Sequence, residues 1–306
     1  MKIFNSLSVF VFFVLLSISA SAQQDPNFTL YKYNMNIINP AYAGSRDFAS
    51  INMAYKSQWV GVKDAPETQT VSYSSPTKSN VGLGFSVIND CVSIIRETDV
   101  DLDVSYKLKL DFEYYLYFGI KAGVGFVNLD YTNAGAVDED IMFAENESYL
   151  RPHFGTGFYL KHPKYYLSIS TPNLLNGHRY VKNASSEVSI LKDLHVYAGG
   201  GYTHELKSRL YLRSELMTRY VKGAPMSFDV ASTLSMYGKA EAGVNYRYKE
   251  SVSVYSLFRM SNDFQFGFSY EMMVNTVGNA FKNPSLEFIL KHQFNKKNKF
   301  KVLFCF

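Results

Sequence analysis

The sequence lacks long apolar runs beyond its first residues. After residue 22, no stretch of about 18 apolar residues occurs, which excludes membrane-spanning helices. Cysteine is also scarce, because Cys91 and Cys305 are the only two and lie far apart in the chain. This excludes a disulfide scaffold. The formal net charge of +4 is too small to indicate a nucleic-acid partner.

Motifs for catalysis and for metal binding are missing as well. The six histidines form no H-x-x-x-H pair, and the sequence has no C-x-x-C pair. No Ser, His and acidic residue can be grouped by their spacing, since such triads are recognised by geometry. The Gly82-x-Gly84 pair has neither the third glycine nor the following helix of a dinucleotide site. We therefore expect no enzyme activity, no cofactor and no metal site.

The first 22 residues have the composition of a secretion signal. Lys2 supplies the positive start, the apolar core runs from Leu7 to Ile18, and Ala20-Ser21-Ala22 is a small-residue cleavage site. This predicts a signal peptide over residues 1–22 and export across the inner membrane. No cysteine follows the cleavage site, which argues against a lipid anchor.

The rest of the chain is rich in alternating apolar and polar residues. Residues 100–110 read V-D-L-D-V-S-Y-K-L-K-L, which predicts a strand with one face for hydrocarbon and one for water. The composition is 47% hydrophobic and 16% aromatic, with 24 Tyr and 24 Phe. Strands favour these residues, and membrane barrels place them at the water interfaces.

The alternation predicts about fourteen strands and a closed membrane barrel. The predicted strands span 49–60, 67–75, 80–90, 99–109, 113–129, 149–161, 164–171, 193–205, 209–220, 227–236, 239–248, 251–260, 263–271 and 285–294. Connections after even-numbered strands are short and those after odd-numbered strands are mostly longer, with 91–98 among the long ones. A secreted sandwich has no reason to sort its loops in this way. The pattern therefore favours an all-β, transmembrane antiparallel β-barrel with short periplasmic turns, long outer loops and both termini in the periplasm.

The chain is accordingly divided into four parts. These are a signal peptide (1–22), a periplasmic N-terminal segment that is a candidate plug (23–48), the transmembrane barrel (49–294) and a basic C-terminal tail (295–306). The last strand ends in an aromatic residue, Phe294, as a barrel-assembly signal does. The chain itself ends in Phe306, so either aromatic is a candidate for this signal.

Glycine is concentrated on the polar face of the predicted strands. Two explanations are open: glycine relieves crowding and permits bending of a closed sheet, or it leaves an inner wall against which another backbone packs. That backbone would be the segment 23–46 or part of a partner. The first explanation is preferred, because a strand glycine often marks no more than a bend. The glycines concerned are Gly82, Gly84, Gly119, Gly123, Gly125, Gly155, Gly157, Gly199, Gly201, Gly243 and Gly267.

Charged residues also fall on the face predicted to line the lumen. They would form either a selectivity lining or a network of paired charges that fills a closed barrel. The sequence leaves both alternatives open. The candidate lining residues are Lys121, Arg213, Glu215, Arg219, Lys239, Glu241 and Arg247.

Short motifs near the N-terminus carry a family resemblance. They are Gln24-Asp25-Pro26 with Thr29-Leu30-Tyr31, Asn39-Pro40-Ala41-Tyr42-Ala43-Gly44-Ser45, Ser57-Gln58-Trp59-Val60-Gly61, Ala65-Pro66 with Thr68-Gln69-Thr70, and Val81-Gly82-Leu83-Gly84 running to Asn89-Asp90. In this order and spacing the motifs resemble the PorP/SprF family of type IX secretion outer-membrane proteins. The remainder of the chain agrees with the family in length and strand pattern.

The resemblance implies a function that composition cannot supply. It implies an outer-membrane barrel that assists the secretion or surface attachment of a large cargo protein, contacts the periplasmic secretion machinery and, in some relatives, serves gliding motility. No catalytic or ligand residue is carried over from the family. Candidate contacts for a partner or plug are Asn39, Pro40, Tyr42, Gly44, Gln58 and Trp59. The alternative function is a general porin or solute channel.

Overall fold

A computed structural model describes residues 28–130, 146–176, 181–183, 186–188, 194–222, 224–274 and 283–294. The predicted signal peptide, residues 23–27 and the basic tail at 295–306 lie outside these ranges. The strands are β1 (Ala49–Ser57), β2 (Glu67–Pro76), β3 (Val81–Val92), β4 (Ile95–Lys109), β5 (Tyr115–Leu129), β6 (Glu147–Lys161), β7 (Tyr165–Asn176), β8 (Val181–Asn183), β9 (Ser186–Val188), β10 (His195–Lys207), β11 (Leu210–Val221), β12 (Ser227–Met236), β13 (Ala240–Arg247), β14 (Ser251–Arg259), β15 (Phe264–Met273) and β16 (Ser285–Phe294).

Within the described residues, fourteen strands form one closed antiparallel barrel, as the sequence predicts. Each strand pairs with its neighbours in the chain, β7 pairs with β10, and β8 and β9 form a separate two-stranded sheet. The barrel closes between β1 and β16, where Ala49 pairs with Phe294 and Ser57 with Leu286. Closure leaves no unpaired edge, as a sheet in hydrocarbon requires.

The two ends of the barrel differ in their connections. We call the turn end the one with connections 77–80, 110–114, 162–164, 208–209, 237–239 and 260–263, and the loop end the one with 58–66, 93–94, 130–146, 177–194, 222–226, 248–250 and 274–284. The prediction of a long loop at 91–98 was wrong. Val92 pairs with Ile95 across a tight turn in which Ser93 has a φ of 53°, so both strands extend further than the alternation indicated.

The alternation sorts side chains by polarity, with apolar groups outside and polar groups inside. On β4, Leu102 is 61% exposed whereas the neighbouring Asp103 is 1% exposed. The outer face thus offers Leu, Val, Phe and Tyr side chains to lipid, and the inner face holds Ser, Thr, Asn and charged groups. This inverted arrangement is the one expected for a barrel in a membrane. Within the described residues, no helix is long and apolar enough to cross a membrane.

Residues 28–48 run through the inside of this barrel, and we call them the inner segment. They include three short 3-10 helices, Tyr31–Tyr33, Met35–Ile37 and Pro40–Tyr42, and nearly all of them are buried. One apolar side packs against Tyr117, Tyr159 and Tyr166, and the other against a second group of wall residues. That second group is Ala54, Tyr255, Leu257 and Ile289. The apolar core therefore lies between the inner segment and the barrel wall.

Four of the polar-face glycines lie against the inner segment. A Cβ at Gly82 would meet the backbone of Ala43, and one at Gly119 would meet the backbone of Pro40 and Ala41. A Cβ at Gly84 would meet the side chain of Asn36, and one at Gly157 would meet the side chain of Asn39. At these four positions the preferred explanation, that glycine only relieves crowding and permits bending, was wrong. The space is needed by the backbone and side chains of the inner segment. At most of the others, such as Gly125, neighbouring side chains fill the space.

Candidate functional site

The candidate site is the contact between the inner segment and the polar wall of the barrel. Its Asn39-to-Ser45 portion is fixed by the side chain of Asn39, which is fully buried. Asn39 Oδ1 accepts a hydrogen bond from Ala41 N at 2.9 Å and so caps the Pro40–Tyr42 turn. Its Nδ2 group donates to the carbonyl of Phe158 at 3.0 Å and to Ser168 Oγ at 2.8 Å. One side chain thus shapes the segment and joins it to two strands.

Tyr42 and Gly44 continue this attachment toward the turn end. Arg46 Nε donates to the Tyr42 hydroxyl at 2.8 Å, and the Tyr42 ring packs edge-on against Tyr159 with centroids 5.3 Å apart. Gly44 has a φ of +64° and its amide donates to Ser74 Oγ at 2.9 Å. A Cβ at Gly44 would overlap the Cα of Gly82, so this position requires glycine on both counts.

Lys32 is a buried cation of the inner segment. Its Nζ atom lies 2.8 Å from Glu215 Oε2 and donates to the Tyr255 hydroxyl at 3.0 Å and to Thr233. Glu215 Oε1 accepts a further hydrogen bond from the Tyr166 hydroxyl at 3.2 Å. A buried charge is tolerated only with partners of this kind, so the β11 to β14 wall is built to receive Lys32.

A second charged group holds the beginning of the inner segment. The amide of Thr29 donates to Glu287 Oε2 at 2.8 Å, and the Thr29 hydroxyl donates to Glu271 Oε2 at 3.3 Å. Glu271 also pairs with Lys56 at 2.8 Å and with Arg247 at 2.9 Å. These contacts connect the inner segment to β1, β13, β15 and β16, and so span the strand pair that closes the barrel.

A third charged group lies on β4, β5 and β6. Lys121 Nζ is 3.1 Å from a carboxylate oxygen of Asp101 and 3.1 Å from one of Asp103. Asn36 of the inner segment donates to Asp103 Oδ2 at 2.9 Å, and His153 Nε2 lies 2.7 Å from Asp101 Oδ1. The charges on this wall are thus matched side chain to side chain, which is the pattern of a filled interior.

The predicted lumen-lining residues take different places. Lys121, Arg213, Glu215, Arg219 and Arg247 are buried inside the barrel, and Glu241 is partly buried and accepts a hydrogen bond from the Tyr33 hydroxyl at 2.6 Å. Lys239 is exposed in the turn between β12 and β13 and does not line the interior. β13 begins at Ala240, one residue later than the alternation suggested.

The candidate partner or plug contacts fall at opposite ends of the barrel. Asn39, Pro40, Tyr42 and Gly44 belong to the inner segment, whereas Gln58 and Trp59 follow the last residue of β1 at the loop end. Gln58 N donates to Pro66 O at 2.9 Å, and Trp59 N donates to Ser285 Oγ at 3.3 Å. The six candidate contacts therefore form two separate groups, four residues inside the barrel and two at its rim.

Several residues of the site were not singled out from the sequence. Lys32, Lys56, Glu271 and Glu287 all make buried polar contacts between the inner segment and the wall or between strands of the wall. Glu271 and Glu287 lie on the inner face of their strands, where the alternation could have identified them. Lys32 lies in a stretch without strand periodicity, so no local pattern marks it. Within the described residues, no group of three or more His, Cys, Asp or Glu side chains could hold a metal ion.

Replacing Lys32 by methionine is expected to lower the free energy of unfolding by about 3–5 kcal/mol, because Glu215 is left buried without its cation. The double replacement Lys32→Met with Glu215→Gln should recover most of that loss. Urea unfolding in phospholipid vesicles, followed by the fluorescence of Trp59, measures the difference. Lys63→Met is the control, since Lys63 Nζ lies 3.9 Å from Asp64 in a pair whose lysine side chain is 93% exposed. An equal loss in this control would contradict the role given to Lys32.

Comparisons with known proteins point to one family. The family described as type IX secretion system membrane protein PorP/SprF matches residues 20–292. Among solved structures, the CymD monoaromatic hydrocarbon channel is 12% identical with a TM-score of 0.51, over 88% of this chain and 94% of that chain. The Pseudomonas putida toluene transporter TodX is 8% identical with a TM-score of 0.51, over 87% of this chain and 95% of that chain. At these identities the solved structures support the barrel fold alone. No curated protein matches the sequence.

Proposed function

The chain belongs to the PorP/SprF family of type IX secretion system membrane proteins, and from this premise we propose that it assists the secretion or surface attachment of a large cargo protein. The family match, which covers nearly the whole chain, is the observation that carries this proposal. It confirms the resemblance drawn from the N-terminal motifs and extends it to residue 292. Family and fold together make the protein an outer-membrane component of type IX secretion.

The filled interior supports a role in assembly and attachment over solute transport. The inner segment occupies the lumen, and polar groups of Lys32, Asn36 and Asn39 are paired with the wall. A general porin or solute channel, the alternative function, needs a continuous aqueous path. The two solved structures are named as a channel and a transporter, but at 12% and 8% identity they support the fold and not that activity.

We further propose that the two ends of the barrel meet different partners. In the outer membrane the loop end faces the cell exterior, where a surface cargo is held, and the turn end faces the periplasmic secretion machinery. The rim residues Gln58 and Trp59 are candidate contacts for cargo. They are partly exposed, and their loop is tied to the strand across the barrel closure by the backbone bond from Val60 N to Pro284 O at 2.9 Å, which gives them a fixed position. In gliding relatives the cargo would include a motility protein.

The first experiment is a pull-down from detergent-solubilised membranes in which the bound proteins are identified. We expect a large secreted surface protein and a component of the periplasmic machinery. Deletion of the gene should abolish surface display of that protein while leaving small-solute uptake unchanged. Recovery of neither kind of partner would contradict the proposal, and ion conductance of the intact protein in planar bilayers would favour the channel alternative.

Substitution at the rim tests the proposed cargo contact itself. Trp59→Ala is expected to reduce the recovery of cargo at least fivefold without reducing recovery of the periplasmic partner. Lys63→Ala lies in the same connection with a 93% exposed side chain and serves as the matched control. If the two variants recover cargo equally, the contact lies elsewhere on the protein.

A further inference from the structure

The inner segment has a direction, which can be followed through its hydrogen bonds. At its C-terminal side it lies at the turn end. Lys161, the last residue of β6, donates from Nζ to the carbonyl of Ser45 at 2.8 Å, and Ser74 near the end of β2 accepts from the Gly44 amide at 2.9 Å. Both strands end in short turns there. The segment therefore enters β1 from the turn end of the barrel.

Several earlier contacts of the segment lie further from that end, although the Tyr33 hydroxyl donates to Glu241 near the beginning of β13. Asn39 donates to Ser168, which lies near the beginning of β7, and Asn36 donates to Asp103 in the interior of β4. Lys32 reaches Glu215 at the middle of β11. The contacts of Asn39, Asn36 and Lys32 thus lie successively further from the turn end as the chain is followed towards its N-terminus.

The first described residues reach the opposite end. Thr29 N donates to Glu287, close to the beginning of β16, and Thr29 Oγ1 donates to Glu271, close to the end of β15. These two strands are joined at the loop end by residues 274–284. Lys56, which pairs with Glu271, is the penultimate residue of β1 at the same end. The segment therefore crosses the barrel interior from one end to the other.

We infer that the inner segment is threaded through its own barrel, so that its N-terminal end, at Thr29, lies at the loop end. The described strands form a closed wall, and the inner segment is buried within it from Phe28 to Phe48 at all but two residues. With the outer-membrane orientation on which the proposed function rests, the N-terminal end of the inner segment then faces the cell exterior. From the sequence, in contrast, residues 23–48 were expected to lie in the periplasm.

Threading has two consequences. The N-terminal end of the inner segment shares the loop end with the Trp59 connection. The barrel must also close around the inner segment during assembly. Glu287, which binds Thr29, lies on β16, and β16 pairs with β1 to close the barrel. The strands that close the barrel therefore also bind the inner segment.

A hydrophilic epitope inserted between Asn27 and Phe28 tests the inference. Matched insertions follow Lys63 at the loop end and Lys78 at the turn end, both in exposed positions. Antibody binding to intact cells, before and after permeabilisation of the outer membrane, is the measurement, and heat-dependent electrophoretic mobility verifies that each barrel is folded. On intact cells, we expect the epitope before Phe28 to bind an amount of antibody within twofold of that bound by the Lys63 insertion. The Lys78 insertion should bind antibody only after permeabilisation.

The possible outcomes separate the inference from its premise. Binding before Phe28 only after permeabilisation, with the Lys63 epitope accessible on intact cells, would overturn threading. Failure to bind in both conditions would overturn it as well, because the epitope would then not emerge at the loop end. If the Lys78 epitope binds antibody on intact cells and the Lys63 epitope only after permeabilisation, the assumed orientation is wrong. Threading then requires the epitope before Phe28 to bind only after permeabilisation, as the Lys63 epitope does. Should the insertion prevent folding, an Asn27→Cys variant with Cys91 and Cys305 replaced by serine is labelled with a membrane-impermeant maleimide under the same criteria.

Discussion

Gly119→Ala is expected to lower the free energy of unfolding by about 1–3 kcal/mol and to loosen the inner segment. The added Cβ would overlap the backbone of Pro40 and Ala41, which cannot turn aside as the end of a side chain can. The segment must therefore shift away from β5 or the strand must move outward. Urea unfolding in vesicles measures the first effect, and protease cleavage within residues 28–48 of the folded barrel measures the second.

Gly125→Ala is the matched control for this substitution. Gly125 lies on the same strand and the same inner face, but its added Cβ would approach the ends of the Asp99 and Arg151 side chains. Those side chains can rotate, so we expect a smaller loss of stability and no new cleavage in the inner segment. Equal losses for the two variants would mean that strand geometry, and not contact with the inner segment, requires glycine at residue 119.

The barrel was predictable because its signal is local. Every second residue of a strand faces lipid, so Leu102, Val104 and Tyr106 report their surroundings without knowledge of their neighbours in space. The hairpin at Val92 to Ile95 was missed because a pattern of loop lengths cannot distinguish a tight turn between long strands from a loop between short ones. Strand ends are accordingly less well predicted than strand centres.

The path of the inner segment was not predictable in the same way. Its 3-10 turns have no repeat that a sequence pattern detects, and its contacts join residues far apart in the chain, such as Lys32 with Glu215 and Thr29 with Glu287. The polar-face glycines gave the strongest hint, because their missing side chains match the position of a second backbone. A glycine alone does not say whether it serves a bend or a contact, and only the structure distinguishes Gly119 from Gly125.

The same limit applies to the candidate contacts. Asn39 and Trp59 occur in neighbouring sequence motifs, so the sequence alone suggests that they contact the same partner. The length of β1 separates them, so Asn39 is fully buried inside the barrel whereas Trp59 lies at the loop end. Family motifs therefore mark two different tasks here: fixing the inner segment and shaping the rim.

Removal of residues 28–43 is expected to convert the protein from a closed barrel into an ion-conducting pore. The inner segment supplies much of the apolar core of the lumen. Beside the apolar wall residues that pack against it, the wall carries many polar and charged side chains that water can solvate. A barrel of fourteen strands is wider than the eight-stranded barrels that side chains alone can fill. In planar bilayers we expect no conductance steps for the intact chain and discrete steps for the shortened one.

Ion selectivity provides the internal test of this pore. Lys121, Arg213 and Arg247 would face the emptied lumen, so Arg213→Ala in the shortened chain should shift the reversal potential toward cation preference. Tyr237→Ala, at an exposed turn-end position outside the lumen, should leave the reversal potential unchanged. If the shortened chain does not fold, Gly119→Ala keeps every other residue and should produce brief openings as the segment loosens. Steady conductance by the intact protein, equal to that of the shortened chain, would contradict the view of residues 28–48 as the seal of the barrel.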